Sequence, residues 1–277
     1  MTYRNILVHV DRSAGARDRI TAAAELAARF NCPVTGAFVR SSRLPNYIVS
    51  DAVTPIPGYV VEEYAQKHAA EVEAATQAAK QVFLGNIPSH LTTRWLDIDG
   101  DTDDQLVASA MRHDLVVLPP EITPEFGHHV ISAARIGMAS GGPVLVLKKG
   151  GYPIPFGTKI LVAWNDSREA VRALRDAWPF LETAGEIHFL KIGQEGEREL
   201  DTLMQRQLQD HGCPAAQLHV DSADAPVEDL IRLHVGKTGA DLVVLGLYGH
   251  SRLRELVMGG VSRSLLSDPP MPLLMSH

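Results

Sequence analysis

The feature that most constrains the fold is a set of three short apolar segments that occur twice and in the same order. The pairs are NILVHV at 5–10 with KILVAW at 159–164, DLVVL at 114–118 with DLVVL at 241–245, and PVLVL at 143–147 with PLLM at 272–275. Short, valine-rich runs of this kind are typical of strands buried on both faces of a parallel sheet. Matched strands in matched order indicate a tandem duplication.

In each copy the apolar runs alternate with segments of helical pattern. Strands are expected near residues 4–10, 33–39, 90–97, 114–118 and 143–148, and again near 159–164, 186–192, 216–220, 241–246 and 272–276. Alternating strands and helices imply right-handed crossovers and a parallel sheet with helices on both faces. The sequence therefore predicts an α/β protein of two tandem doubly wound, Rossmann-like domains, each with a five-stranded parallel sheet.

The boundary between the domains is predicted at 148–157, KKGGYPIPFG, where glycine and proline cluster. This places one domain at residues 1–150 and the other at 156–277. Aligning Ile6 with Ile160 gives an offset of 154 and aligning Leu115 with Leu242 gives 127, so the first copy holds 27 extra residues. We assign these to a proline-rich excursion at 41–59 and a long helix from about residue 60 to 84.

Glycines follow the second DLVVL strand at Gly246, Gly249, Gly259 and Gly260. Glycine lets backbone N–H groups approach an anion closely, and a helix start leaves its first N–H groups unpaired. The spacing G-x-x-G-x9-G is neither the G-x-G-x-x-G of dinucleotide folds nor a Walker A loop. The pattern predicts a phosphate cradle; the alternative is that these glycines only shape a strand-to-helix turn.

The loop after the first strand of the second copy is expected to face this cradle, because ligands of open α/β sheets lie where the strand order reverses. That loop runs from Ala163 to Ser167 and contains Asn165. The end of the second strand, at Lys191 and Ile192, is expected to lie close by.

The duplicated strands and the G-x-x-G-x9-G loop resemble the universal stress protein family in its ATP-binding branch, over nearly the whole chain. The resemblance implies adenine nucleotide binding in the second copy, as ATP, often with a divalent metal such as Mg²⁺. It places Ala163, Asn165 and Ile192 around the base and ribose. The phosphate residues that it implies are Gly246, Gly249, Gly259, Gly260, Val261 and Ser262.

Two residues of the second copy depart from the family pattern. Asn165 stands where the family has an aspartate, which keeps hydrogen-bonding reach but removes the charge that attracts a metal ion. Gly260 stands where the family has serine or threonine, which keeps an N–H but removes a hydroxyl that Ser262 would have to supply.

The first copy retains Asp11 after its first strand and Val39 at the end of its second. After its DLVVL run, however, come Pro119, Pro120 and Glu121 in place of glycine. Proline has no N–H, and a carboxylate repels phosphate. We therefore expect a degenerate domain that binds no nucleotide.

Composition narrows the class of partner. The formal net charge of −7 argues against nucleic acid as a partner. The N-terminal segment reaches Asp11 and Arg12 after one short apolar run, too short for a signal peptide or membrane span, so we expect a cytoplasmic protein with no membrane partner. Cys32 and Cys213 are expected to be free thiols.

The leading hypothesis is a stress-response regulator that binds ATP or a related adenine nucleotide, with little or no hydrolysis. The alternative is a regulatory protein–protein interaction module that binds no nucleotide, and a weaker third hypothesis is an ATPase or kinase-like enzyme. The last strands of the two copies, at 144–147 and 273–275, are short and apolar, so we expect them to pair as an intramolecular pseudo-dimer. Association of two chains and a regulatory protein partner stay open.

Overall fold

The computed structural model describes residues 2–41, 43, 57–148, 150, 153–192, 200–221, 225–247 and 260–277. The first half contains β1 (Ile6–Val10), α1 (Ala16–Phe30), β2 (Val34–Arg40), α2 (Gly58–Gly85), β3 (Thr93–Asp99), α3 (Asp104–Ala110), β4 (Leu115–Leu118), β5 (Glu121–Ile122), β6 (Ile131–Ser132), α4 (Ala133–Ser140) and β7 (Val144–Val146).

The described elements of the second half repeat this order, and no counterpart of the β5–β6 hairpin is among them. It contains β8 (Lys159–Trp164), α5 (Arg168–Asp176), α6 (Trp178–Leu181), β9 (Glu186–Ile192), α7 (Thr202–Asp210), β10 (Ala216–Asp221), α8 (Val227–Thr238), β11 (Leu242–Gly246), α9 (Gly260–Ser267) and β12 (Leu273–Ser276). The segment between β8 and β9 forms two helices that meet at Ala177, directly before Trp178 and Pro179.

Ten of the described strands form one sheet in the order β10, β9, β8, β11, β12, β7, β4, β1, β2, β3. Neighbours within each half are parallel, so each half is a five-stranded parallel sheet as predicted. The halves join through β7 and β12, which are antiparallel, with Leu145 opposite Leu274. The two end strands therefore pair within the chain.

The two DLVVL segments start with an aspartate that fixes the neighbouring strand. Asp241 accepts hydrogen bonds from the backbone N–H groups of Gly157 (2.9 Å) and Lys159 (3.0 Å) at the start of β8. Asp114 accepts one from Arg4 N (2.7 Å) just before β1. The carboxylate thus satisfies backbone donors that precede the ladder, and both copies use it in the same way.

The core consists of two layers, one on each face of the sheet, and both continue through the two halves. Helices α1, α2, α5, α6 and α7 cover one face, and α3, α4, α8 and α9 cover the other. Aromatic rings join the halves on the first face, where Phe180 lies with its ring centroid 5.8 Å from Tyr3 and 5.4 Å from Phe30. The Tyr3 hydroxyl donates to the carbonyl oxygen of Asp176 at 2.5 Å.

Cys32 and Cys213 are both free and buried, as expected, and burial raises the pKa of each thiol to about 11. Among the described residues, no helix is both long enough and apolar enough to cross a membrane.

The Phe180→Ala substitution is expected to lower the free energy of unfolding by about 3–5 kcal/mol, because the ring is fully buried and the helix cannot collapse to fill the space. Since the ring packs on residues of both halves, a single cooperative transition should shift in urea denaturation followed by circular dichroism. Leu203→Ala, at a side chain that is 75% exposed, is the control and should change stability by less than about 0.5 kcal/mol. A variant in which only one of two resolved transitions moves would contradict the shared core.

Candidate functional site

The carboxyl ends of β9, β8 and β11 lie side by side at one edge of the second half. The chain leaves β8 for α5 on one face of the sheet, whereas it leaves β11 for α9 on the other face. In open α/β sheets, the crevice beyond the carboxyl ends of two such strands is the usual ligand position. The predicted residues Ala163, Ile192 and Gly246 all lie at this edge.

The turn after β8 is held by a set of local hydrogen bonds. Asn165 is exposed, and its Oδ1 accepts from the Ser167 backbone N at 3.2 Å. Ser167 caps α5 by accepting from the Ala170 N at 3.1 Å. Asp166 has a positive φ of 55° and accepts from Trp164 Nε1 at 2.7 Å. The turn therefore presents Asn165 from a fixed backbone.

An ion pair that sequence reasoning did not identify links the ends of β8 and β9. Lys191 Nζ lies 2.8 Å from Asp166 Oδ2. This hydrogen bond is the main reason that the pKa of Asp166 lies below its usual value. The pair is exposed and contributes little to stability, but it defines one wall of the crevice.

Gly246 is required by packing. A Cβ on this residue would lie 2.6 Å from the Glu169 carbonyl carbon and 2.7 Å from the Ala170 nitrogen. The first turn of α5 therefore approaches the end of β11 only because residue 246 has no side chain. This is a structural requirement of Gly246 that holds with or without a ligand.

Helix α9 supplies the described part of the predicted phosphate cradle. Gly260 is its first residue and is exposed, and a Cβ added there would meet no atom of the described residues within 4 Å. Val261 packs against the core, and Ser262 is only 5% exposed. Gly249 and Gly259 lie outside the described residues. No described side chain therefore covers Gly260, as an anion site at a helix N-terminus requires.

Glu169 is a buried carboxylate that sequence reasoning missed. It is 1% exposed, yet its Oε2 has no hydrogen-bond partner among the described residues, and the guanidinium of exposed Arg168 lies 3.6 Å from Oε1. Burying a carboxylate without a full set of partners is costly, so such a residue is a candidate for function. A glutamate in a first helical turn is usually exposed, which is why the sequence offered no signal.

The first half uses its corresponding aspartate differently. Asp11 pairs with buried Arg19, whose Nη2 lies 2.8 Å from Asp11 Oδ2, and its other oxygen accepts from Ser13 N at 2.9 Å. His9 is buried beside them, and burial together with the charge of Arg19 lowers its pKa to about 3. The carboxylate that the first copy retains is therefore engaged by its own helix.

The segment after β4 folds back over the end of β2 in the first half. Glu125 N donates to the Val39 carbonyl at 2.9 Å, and Ser41 N donates to the Glu125 carbonyl at 2.7 Å. The Glu125 side chain also pairs with Arg12. The backbone groups that the family resemblance assigns to a nucleoside are thus bonded within the chain, by a loop closed by the β5–β6 hairpin that was not anticipated.

The residue that follows β11 is wedged against the first half. Leu247 is fully buried, and its Cδ1 lies 2.7 Å from the position that a Cβ would take on Gly137 of α4. Its N–H donates to the Ser276 carbonyl at 2.7 Å, and its carbonyl lies 2.9 Å from His277 Nδ1. Leu247, the residue directly after β11, is therefore held in place partly by α4 of the first half.

Comparisons with known proteins agree with this architecture. Residues 158–277 match the model of the universal stress protein family. A universal stress protein from Archaeoglobus fulgidus DSM 4304 is similar over 98% of this chain and 97% of its own, with 15% identity and a TM-score of 0.69. A putative universal stress protein from Pseudomonas aeruginosa UCBPP-PA14 is similar over 99% of this chain and 93% of its own, with 15% identity and a TM-score of 0.58. No curated protein matches the chain.

The substitutions Gly246→Ala and Gly260→Ala compare the effect on stability of adding a Cβ at a tightly packed glycine and at an exposed one. Gly246→Ala is expected to lower the free energy of unfolding by about 1–3 kcal/mol, because its Cβ collides with the backbone of α5. Gly260→Ala meets open space at a helix start and should keep stability or raise it by up to about 1 kcal/mol. Thermal and urea unfolding measure both, and equal stability of the two variants would contradict the packing role of Gly246.

Proposed function

Residues 158–277 belong to the universal stress protein family, and from this premise we propose that the second half of the chain binds ATP or a related adenine nucleotide as a stress-response regulator. The observation that carries the proposal is the reversal at β8 and β11: their carboxyl ends are adjacent, whereas the helices that follow them, α5 and α9, lie on opposite faces of the sheet, with exposed Gly260 as the first described residue of α9. A nucleotide suits such a crevice because its base and its phosphates need walls of different chemistry.

The base and ribose are proposed to lie against Ala163, Asn165 and Ile192. Ala163 and Ile192 are half-buried at adjacent strand ends, so they offer apolar contact to a base. Asn165 is exposed on a rigid turn, where its amide is placed to bond ribose hydroxyls. The proposal thus uses a neutral side chain where relatives with aspartate would use a charge.

The phosphates are proposed to lie at the glycine segment and the first turn of α9. The described residues of this set are Gly246, Gly260, Val261 and Ser262, and the set continues through Gly249 and Gly259. The first N–H groups of a helix have no partner within it, and the dipole favours negative charge there. Gly246 contributes by letting α5 approach the end of β11, as described above. This role requires no contact between Gly246 and a phosphate.

A divalent cation such as Mg²⁺ is proposed to arrive with the phosphates. Among the described residues, no three acidic, histidine or cysteine side chains converge to hold a metal ion. The orphaned oxygen of buried Glu169 fits the role of a single protein carboxylate near such an ion. The cation would offset phosphate charge at this edge, while Glu169 would hold the first turn of α5 in place.

Hydrolysis is proposed to be weak or absent. Asn165 stands where the family has an aspartate, and an amide does not accept a proton at neutral pH, so this position supplies no general base. We infer a protein that responds to nucleotide binding rather than one that turns nucleotide over.

The domain at 1–150 is proposed to bind no nucleotide and to serve as a partner for the domain at 156–277. The support is the loop around Glu125, which bonds Val39 and Ser41, and the ion pair of Asp11 with Arg19. One nucleotide per chain is the consequence.

Isothermal titration of ATP and Mg²⁺ into the wild-type protein tests the proposal and should give one site per chain. Gly260→Glu places a carboxylate at the start of α9 and should weaken binding at least tenfold, which corresponds to about 1.4 kcal/mol of repulsion. Gly260→Gln introduces a side chain of nearly the same size without the charge, so it should lower the affinity for ATP much less. Because residue 260 faces open space, both variants should fold.

Wild-type protein that gives no heat with ATP would overturn the nucleotide assignment and leave the interaction-module alternative. Two sites per chain would contradict the proposal that the first half binds no nucleotide. Equal affinities of the Glu and Gln variants would contradict the placement of the phosphates at the start of α9.

A further inference from the structure

Three histidines meet at the outer edge of the second half, away from the crevice. His188 lies on β9, His219 on the edge strand β10, and His234 on α8. His188 Nδ1 lies 3.1 Å from His219 Nε2, and the ring centroids of His219 and His234 are 5.4 Å apart. The cluster therefore connects two strands and the helix that covers them.

Two of the rings are almost completely buried. His188 is 4% exposed and His234 is 5% exposed, and His188 Nε2 and His234 Nδ1 lack hydrogen-bond partners among the described residues. A proton added to His234 Nδ1 would create an N–H with no acceptor among the described residues, and one added to His188 Nε2 would face only the Glu186 carboxylate, at 3.5 Å. The contact between His188 and His219 also requires that at least one of the two nitrogens carries no proton.

The carboxylates that face the cluster are already paired, so they would neutralise little of the positive charge that additional protons bring. On α8, His234 Nε2 lies 2.9 Å from Asp221 Oδ2 of β10, so this carboxylate is already engaged. On β9, Glu186 lies 3.5 Å from His188 Nε2 but is paired with Lys159 of β8 at 2.8 Å.

Lys237 of α8 adds a positive charge that acts on His219. Burial is the main reason that the pKa of His219 lies below its usual value, and His188, His234 and Lys237 lower it further. His188, His219 and His234 do not form a group that could hold a metal ion, and no other such group occurs in the described part of the chain, so the geometry suits protons.

We propose that the His188–His219–His234 cluster is an acid-sensitive catch that holds β10 and α8 against the sheet near neutral pH and releases them when it is protonated. Among the described strands, β10 is the last of the sheet and pairs with β9 alone, so it can separate without breaking a second ladder. The three rings provide contacts between β9, β10 and α8. Repulsion between protonated rings would break these contacts together.

The released elements border the rest of the second half. Helix α8 contacts α9, and Arg232 of α8 lies 3.5 Å from Asp268, one residue after α9. Acidification is therefore transmitted to the layer that contains the start of α9. The catch itself depends only on the histidine geometry and stands whether or not a nucleotide binds.

The sign of the pH dependence follows from the lowered pKa of His219. The open or unfolded state binds more protons than the closed state below pH 6.5, the ordinary histidine value. The closed form is therefore most stable above about pH 6.5, and it loses stability as the pH falls below that value toward the lowered pKa of the closed form.

Hydrogen–deuterium exchange of the full-length protein between pH 7.5 and 5.0, corrected for the intrinsic pH dependence of exchange, tests the catch. In the wild type, opening of β10 and α8 should increase by up to about tenfold per pH unit below 6.5 for each proton taken up. His219→Gln keeps an N–H that can donate to His188 Nδ1 but does not titrate, so its pH dependence should be weaker. His90→Gln, at an exposed histidine of the first half, is the matched control and should follow the wild type.

Equal pH dependence of the wild type and His219→Gln would overturn the proposal. If the variant does not fold, NMR titration of the histidine rings in the wild type replaces it. Titration of His219 near pH 6.5 without increased exchange in β10 would overturn the catch, whereas depressed titration coinciding with that exchange supports it. Protection of these strands by added Zn²⁺ at pH 7.5, with no pH effect, would assign a metal site and also overturn the proposal.

Discussion

The antiparallel pairing of β7 with β12 is the contact on which the rest of the structure depends. Each is the last strand of a parallel half, and each is wholly buried, so an unpaired edge would leave backbone N–H and C=O groups without partners in apolar surroundings. Pairing Val144–Val146 with the strand from Leu273 closes both edges at once. Because the joint is antiparallel, the carboxyl ends of the strands in the two halves point to opposite edges of the sheet.

The carboxyl ends of the strands are surrounded differently in the two halves, and the difference lies in the loops and not in the strands. In the second half, α5 follows β8 on one face of the sheet, whereas α9 lies after β11 on the other face, with exposed Gly260 as its first described residue. In the first half a proline-containing loop bonds the end of β2 through Glu125, and Arg19 engages Asp11. The same scaffold therefore carries one edge suited to a ligand and one edge occupied by its own chain, which is the usual division between a rigid sheet and variable loops.

Buried polar groups in this protein fall into two kinds. Asp114 and Asp241 accept backbone N–H groups at strand starts, so they complete the fold. Glu169 and His188, in contrast, are buried with a polar atom that has no hydrogen-bond partner in the described part of the chain. A fully bonded buried group stabilises one structure, whereas a buried group with an unbonded polar atom costs stability unless a further partner binds it.

The sequence by itself determined the duplication, the ten strands of the main sheet to within a few residues and the parallel order in each half. These features follow from local patterns, namely apolar runs of strand length, glycine and proline at turns, and the order in which they repeat. The resemblance of the glycine segment added a set of site residues, of which Ala163, Ile192 and Gly246 lie together at strand ends.

Only the tertiary structure decided which side chains those strand ends meet. The β5–β6 hairpin, the collision that keeps residue 246 a glycine, the burial of Glu169 and the meeting of His188 with His219 and His234 all involve residues far apart in the chain or on different elements. Periodicity reports which face of an element is apolar, but it carries no information on what another element places against that face. Such contacts arise from the packing of the two layers on the shared sheet, and packing is a property of the folded chain as a whole.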